Sequence, residues 1–91
     1  MEKIAIKYTI EGFVQGVGFR YFAQRNAKEL QICGYTKNLN NGNVEVLAIG
    51  DNLKLEQFKN LLQKGPSRSN VNRIIEERTI LSEEYDSFYI I

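Results

Sequence analysis

The sequence has 91 residues, of which 12 are Lys or Arg and 11 are Asp or Glu, and it contains no His, no Trp and one Cys. A chain of this length builds one small core, so we expect a single domain over residues 1–91 rather than a dinucleotide-binding unit with a separate substrate domain. Without His, Ser-His-Asp and Cys-His nucleophile arrangements are excluded, as is a zinc site that needs imidazole. Any catalysis must therefore use Arg, Lys, Asn, carboxylates, hydroxyls or backbone amides.

The charge distribution and the lone cysteine narrow the class of partner. The net charge of +1 argues against a nucleic-acid binder that works by neutralising phosphates, yet residues 1–40 carry six basic against three acidic side chains, while residues 41–91 carry six against eight. An anion site is therefore expected in the first half of the chain. Cys33 has no intrachain disulfide partner, and neither a signal peptide nor an apolar run of membrane-spanning length is present, so we expect a cytoplasmic protein without a membrane partner.

The first half of the chain predicts a strand, a helix and a second strand. Apolar and polar residues alternate with period two from Lys3 to Ile10, which is typical of a half-buried strand. Apolar residues then recur at helical spacing through Tyr21–Gln31, with polar residues on the opposite face, which predicts an amphipathic helix. Residues 32–38 look extended and would form the second strand.

The second half predicts a hairpin, a second helix and two further strands. The Asn41-Gly42 pair tolerates the positive φ angles of a tight hairpin turn, and Asp51 or Asn52 can cap the second helix. The remaining predicted elements are the strand Val44–Ile49, a helix that ends before Gly65-Pro66, and strands at Val71–Thr79 and Ser87–Ile91. The order βαββαβ plus a short C-terminal strand favours an α+β ferredoxin-like sandwich, with two helices on one face of a mostly antiparallel sheet.

The segment that carries the chemistry joins the first strand to the first helix and reads Gly12-Phe13-Val14-Gln15-Gly16-Val17-Gly18-Phe19-Arg20. The backbone amides of such a loop and the positive end of the helix dipole point toward one spot, which suits an anion. Arg20 could grip two oxygens of a phosphoryl group bidentately, in a way that Lys could not. On the residues alone, however, the loop is equally compatible with a tight connection, since neither a Rossmann fingerprint nor a nucleotide P-loop is complete. A single Arg at a helix start such as Arg20 is more often solvated than functional, and Asn38 is by its spacing more often a turn or strand-end residue than a catalytic one.

Three motifs resemble the acylphosphatase family: Val14-Gln15-Gly16-Val17-Gly18-Phe19-Arg20-Tyr21-Phe22, Gly34-Tyr35-Thr36-Lys37-Asn38 and Gly42-Asn43-Val44-Glu45-Val46. The resemblance covers essentially the whole chain and implies a small ferredoxin-like hydrolase that splits the carboxyl-phosphate bond of acyl phosphates. The products would be a carboxylate and inorganic phosphate, which would also be a competitive inhibitor. The resemblance further implies two catalytic residues, Arg20 binding the phosphate and Asn38 positioning the attacking water. It implies a phosphate-binding loop of Gln15, Gly16, Val17, Gly18, Phe19 and Arg20.

This chemistry makes small demands on the protein. The departing carboxylate has a pKa of about 4, so no strong general acid is needed and the lack of His is no obstacle. The amide oxygen of Asn38 can hold a water while its NH₂ group contacts the phosphate, but it is too weakly basic to deprotonate that water. We therefore hypothesise that a phosphate oxygen of the substrate takes the proton, and we expect a monomer that needs no metal and no cofactor.

Other interpretations of the same fold remain open. A non-catalytic anion sensor, or a part of a larger carbamoyl-phosphate-handling machine, could keep the anion loop. An RNA-binding module of the RRM type stacks bases on aromatic residues of its central strands, but Val44–Ile49 contains none and the chain is not basic. Cys33 has no base or cation evident nearby to activate it, so we expect it to be packed rather than nucleophilic.

Overall fold

Residues 3–80 and 83–91, which the structure describes, form a five-stranded sheet with two helices on one face. The structure is a computed structural model. Met1 and Glu2, which belong to the segment that is not expected to be a signal peptide, lie outside the described residues. The elements are β1 (Ile4–Phe13), α1 (Phe19–Glu29), β2 (Cys33–Asn38), β3 (Val44–Gly50), α2 (Asn52–Lys64), β4 (Asn70–Thr79) and β5 (Phe88–Ile90). The strand order is β4-β1-β3-β2-β5, and neighbouring strands are antiparallel except for β2 and β5. This is the predicted ferredoxin-like arrangement.

The core lies between the sheet and the helices because alternate residues of β1 are apolar. Tyr8 and Ile10 are buried, whereas Lys7 and Thr9 on the opposite face are partly exposed. The helices contribute small and large apolar residues at helical spacing, namely Phe19, Ala23, Ala27, Leu55, Phe58 and Leu62. Full burial of each large side chain stabilises the fold by about 1.5–3 kcal/mol. No helix within the described residues is both long and apolar enough to cross a bilayer.

The strand β1 extends three residues beyond its predicted end at Ile10 and takes up the first glycine of the predicted anion loop. Its pairing with β4 shifts register between Glu11 and Gly12. Gly12 has φ +140°, and a Cβ there would lie 2.1 Å from the carbonyl oxygen of Asn70. Gly12 therefore permits close contact between β1 and β4. The prediction that Gly12 belongs to the anion-binding loop is wrong, because the residue lies within β1.

The helix α1 begins and ends two residues earlier than the predicted span Tyr21–Gln31. Gly18 is its N-cap, so Phe19 and Arg20 belong to the first helical turn rather than to the loop. At the other end, the amide of Leu30 donates to the carbonyl of Asn26, and Gln31 has φ 59°. This left-handed residue ends the helical path and turns the chain toward β2.

The β2–β3 hairpin is longer than the two-residue turn that Asn41-Gly42 predicts. Leu39 and Asn43 close it through a bond from the Leu39 amide to the Asn43 carbonyl (2.8 Å), which leaves three residues between them. The Asn41 side chain accepts a hydrogen bond from the Asn43 amide, an Asx-type contact that holds the turn. Asn41 is not among the described residues with positive φ, so the type I′ geometry is absent and the hairpin has a three-residue loop.

The C-terminal strand β5 pairs in parallel with β2 at the sheet edge, opposite to the edge that β4 forms. Gly34 lies opposite Phe88 and Thr36 opposite Ile90. Phe88 is buried in the core, and Ile90, two residues further, faces the same side near the end of β2. This pairing places the end of the chain beside Asn38.

Candidate active site

The loop between β1 and α1 is held at both of its ends by buried side chains. Val14 and Phe19 are each 1 % exposed, while Gly16 and Gly18 between them are exposed. Gly18 has φ +79°, and a Cβ there would meet nothing within 4 Å. The constraint at this position is therefore the left-handed backbone rather than space, and the main chain of the loop is open to solvent.

The backbone amides at the start of α1 have no acceptor within the described parts of the protein. The helical ladder begins with the amide of Phe22, which donates to the Gly18 carbonyl at 3.0 Å. The amides of residues 16–21 donate to no protein group among the described residues, and Gly18 offers no side chain to cap them. The first turn of α1 also carries no acidic residue. Unpaired amides and the positive end of a helix dipole together favour an anion.

Arg20 and Asn38 line one pocket with most of the residues that carry these amides. The pocket has a volume of about 190 Å³ and is lined by Gly16, Gly18, Arg20, Tyr21, Asn38 and Ile90, among others. Arg20 is partly buried, and its guanidinium lies within 4.0 Å of no carboxylate in the described residues. The cation is therefore available to an anionic ligand rather than bound in an internal ion pair.

Asn38 reaches the pocket because it is the last residue of β2 on the face that the helices cover. Gly34 and Thr36, which precede it on that face, are buried, and Asn38 itself is exposed at the strand end. Its position opposite Val44 places it where the sheet meets the β1–α1 loop. The side chain is thus accessible to both ligand and solvent, as a residue that holds a water must be.

The other predicted loop residues contribute in different ways. Val17 packs against the core and does not line the pocket, whereas Phe19 is part of the core and also lines the pocket. The Gln15 side chain turns away from the loop and donates hydrogen bonds to the carbonyls of Leu39 and Asn43. It therefore links the loop to the β2–β3 hairpin.

How Ile90 and Cys33 lie relative to the pocket was not predicted from the sequence. Ile90, which lines the pocket, was not among the predicted site residues, although its alternation with Phe88 gave the one signal that it faces the core side. Cys33 is partly exposed and lies on the face of β2 opposite Gly34 and Thr36, so it is not among the residues that line this pocket.

Tyr35 and Lys37 of β2 also lie on the face opposite Asn38 and do not line the pocket. The Tyr35 hydroxyl donates to Glu45 at 2.7 Å, and Lys37 lies 3.6 Å from the same carboxylate. Burial, followed by the hydrogen bond to Glu45, raises the pKa of Tyr35 above its ordinary value. Its hydroxyl is already used in the bond to Glu45, and Tyr35 does not line the pocket.

The fold and the pocket together define a small ferredoxin-like domain with a pocket at the start of its first helix. The family model for acylphosphatase matches residues 6–90. The chain is 42% identical over 91 residues to an acylphosphatase of Vibrio cholerae, covering 100% of both chains, and 44% identical over 85 residues to that of Vibrio vulnificus, covering 93% of each. It superposes on the structure of an acylphosphatase from Coxiella burnetii with a TM-score of 0.92 at 34% identity, covering 98% of this chain and 93% of that one.

The chain belongs to the acylphosphatase family. It is accordingly a hydrolase whose substrate is a small-molecule acyl phosphate. The resemblance that the three sequence motifs indicated is confirmed, and so is the fold that it implied.

Proposed function

We propose that acyl phosphates are hydrolysed in the pocket between the β1–α1 loop and the end of β2. In this proposal Arg20 and the loop amides bind the phosphate, and Asn38 positions the attacking water. One observation carries it: Arg20 and Asn38 border the same pocket as Gly16, Gly18, Phe19 and Tyr21, whose amides have no acceptor among the described residues. The three groups are those that phosphoryl transfer to water requires.

The loop and Arg20 act on the charge of the phosphoryl group. In the transition state, negative charge is spread over the three equatorial oxygens, and catalysis consists largely of positioning and electrostatic stabilisation. The amides are fixed by the backbone of the loop and helix, so they need no reorganisation when the charge develops. Arg20 adds two parallel N–H donors that match two phosphoryl oxygens.

Asn38 acts on the water. Its amide oxygen accepts a hydrogen bond from the water and orients it in line with the bond that breaks. The water oxygen forms a bond to phosphorus, the bond between phosphorus and the carboxylate oxygen breaks, and the carboxylate leaves with the electron pair. A phosphoryl oxygen of the substrate takes the proton of the water, so the products are a carboxylate and inorganic phosphate. Each step uses the chain and its substrate, and we expect turnover to survive excess chelator.

The test is the variant Arg20→Gln, assayed by phosphate release from acetyl phosphate. Loss of a preorganised stabilising donor typically lowers kcat by about 10²–10³, and here a charge is lost as well, so turnover should fall to background. Competitive inhibition by inorganic phosphate should weaken in parallel. Arg20→Lys should also fail, because a point charge cannot replace the planar fork.

The matched control is Arg25→Gln, which removes the same side chain from an exposed position on the same helix. It should retain wild-type turnover and phosphate inhibition. Near-normal turnover of Arg20→Gln would refute the assignment of Arg20.

We also propose a cytoplasmic monomer that binds no nucleic acid, on the strength of the lone Cys33 and the near-neutral charge. The acetyl phosphate assay of the wild-type chain separates an enzyme from an anion- or RNA-binding module on the same fold. An elution volume of a single chain in size-exclusion chromatography tests the monomer.

A further inference from the structure

Gln15 makes an unusual pair of contacts for a loop residue. Its Nε2 group donates to the carbonyl oxygen of Leu39 at 2.8 Å and to that of Asn43 at 2.9 Å. A side-chain amide nitrogen carries two hydrogens, so both of its donors are used. The two acceptors are the residues that close the β2–β3 hairpin, and Leu39 directly follows Asn38.

The sheet itself does not hold the loop against Asn38. The strand β3 lies between β1, which leads into the loop, and β2, which ends at Asn38. Two strand spacings of about 4.8 Å therefore separate the segments that carry the two functions. Within the described residues, no other hydrogen bond joins residues 14–18 to residues 38–43.

We infer that Gln15 is a positioning residue that fixes the phosphate-binding loop relative to Asn38 and so aligns the attacking water with phosphorus. This inference rests on the proposed function. An error of about 1 Å in the placement of reacting groups can cost on the order of 10²-fold in rate. Gln15 aligns the two parts of the site through its hydrogen bonds to the carbonyls of Leu39 and Asn43, and it does not itself touch the substrate.

The inference predicts a specific kinetic signature. Phosphate binding uses amides and a guanidinium that belong to one continuous segment, residues 16–21, so it does not depend on the position of the hairpin. Attack by water uses that segment together with Asn38. Loss of the Gln15 bonds should therefore lower kcat and leave the inhibition constant for inorganic phosphate unchanged, whereas a general loss of structure would change both.

The test variant is Gln15→Met, which keeps the length of the side chain, removes both donors and adds no charge near the anion site. We expect kcat for acetyl phosphate to fall by roughly tenfold or more, toward the 10²-fold of a 1 Å misplacement. The inhibition constant for phosphate should stay within about twofold. Both are measured at a temperature where circular dichroism shows the variant fully folded.

The matched control is Gln24→Met. Gln24 also donates its Nε2 group to a distant main-chain carbonyl, that of Phe88 at 3.0 Å, but it ties α1 to β5 and not to the hairpin. Gln24→Met removes a side-chain to main-chain hydrogen bond of the same kind, so this variant measures how the loss of such a bond changes the stability of the fold alone. Its kcat should equal that of the wild type.

A double variant separates positioning from general support of the fold. If Gln15 acts through Asn38, then Gln15→Met should have little further effect on kcat in an Asn38→Ala background, since residues that act as a unit are non-additive. Fully additive effects, an unchanged kcat in Gln15→Met, or equal losses of kcat and phosphate affinity would each overturn the inference. If instead Arg20→Gln retains turnover, the proposed function itself fails, so the two failures are distinguishable.

Discussion

The two helices begin in opposite ways, although each follows a strand of the same sheet. At the start of α2, the Asp51 carboxylate accepts a hydrogen bond from the Lys54 amide at 3.0 Å and caps the helix. At the start of α1, Gly18 takes a left-handed conformation and provides no capping side chain. An Asp cap is worth about 0.5–2 kcal/mol, so α1 lacks a stabilising contact that α2 has.

In the proposed mechanism, the start of a helix is used for stability at α2 and for binding at α1. At α2 the anion that satisfies the helix end is part of the chain. At α1 the amides remain exposed, and the helix is held by the burial of Phe19 and Val14 instead. Packing can hold a helix in place without a cap, which leaves its N-terminus available to a substrate phosphate.

Within this comparison, the largest loss of activity is expected when Asn38 is removed, because Asn38 lines the same pocket as the uncapped start of α1. Asn38→Ala removes the group that we propose orients the water; because that orientation is needed mainly in the transition state, kcat should fall by about 10²–10³ while KM changes little. Steady-state kinetics with acetyl phosphate measure both constants. Asn40→Ala, in the exposed part of the same hairpin, is the control and should behave as the wild type. A raised KM at unchanged kcat would make Asn38 a binding residue instead.

A smaller but more direct change is to give α1 the cap that α2 has. Asp and Asn both tolerate the left-handed backbone at Gly18, where a Cβ meets nothing within 4 Å. Gly18→Asp places a carboxylate among the exposed amides, and its repulsion should weaken inhibition by inorganic phosphate roughly tenfold or more relative to Gly18→Asn. The isosteric Asn variant controls for the backbone and the added volume. Equal phosphate inhibition in both variants would show that this helix end does not bind the anion.

The sequence predicts the order of the elements well because most of the signals are local. The alternation in β1 and a helix cap at Asp51 or Asn52 depend on neighbouring residues; the alternation is confirmed, and of the two candidates Asp51 is the cap. Gly12 was misplaced because its role depends on close contact with Asn70, which is 58 positions away in the chain. The predicted hairpin turn was wrong for a different, local reason: the Asn41 side chain accepts a hydrogen bond from the Asn43 amide and favours another turn geometry.

The candidate site could be predicted only in part. The position of the loop between a strand and a helix, and the motif that ends in Arg20, indicate an anion site from the sequence. Asn38 gives no such signal by itself, and its candidate role came from the family resemblance. The direction of the Gln15 side chain and the presence of Ile90 in the pocket could not be predicted, because they follow from how the hairpin and β5 pack against the loop.

The smallest effect on activity is expected at the closed helix end. Asp51→Ala removes the cap and should lower the free energy of unfolding by about 1 kcal/mol, which corresponds to a fall in Tm of about 4–8 °C for a domain of this size. Asn52→Ala, at the next position, removes an exposed side chain and should change stability by less than about 0.5 kcal/mol. Both variants should hydrolyse acetyl phosphate like the wild type wherever they are folded, since Asp51 caps α2 and does not line the pocket. A folded Asp51→Ala protein with reduced kcat would mean that the two helix ends are energetically coupled, and their separate use for stability and for binding would no longer hold.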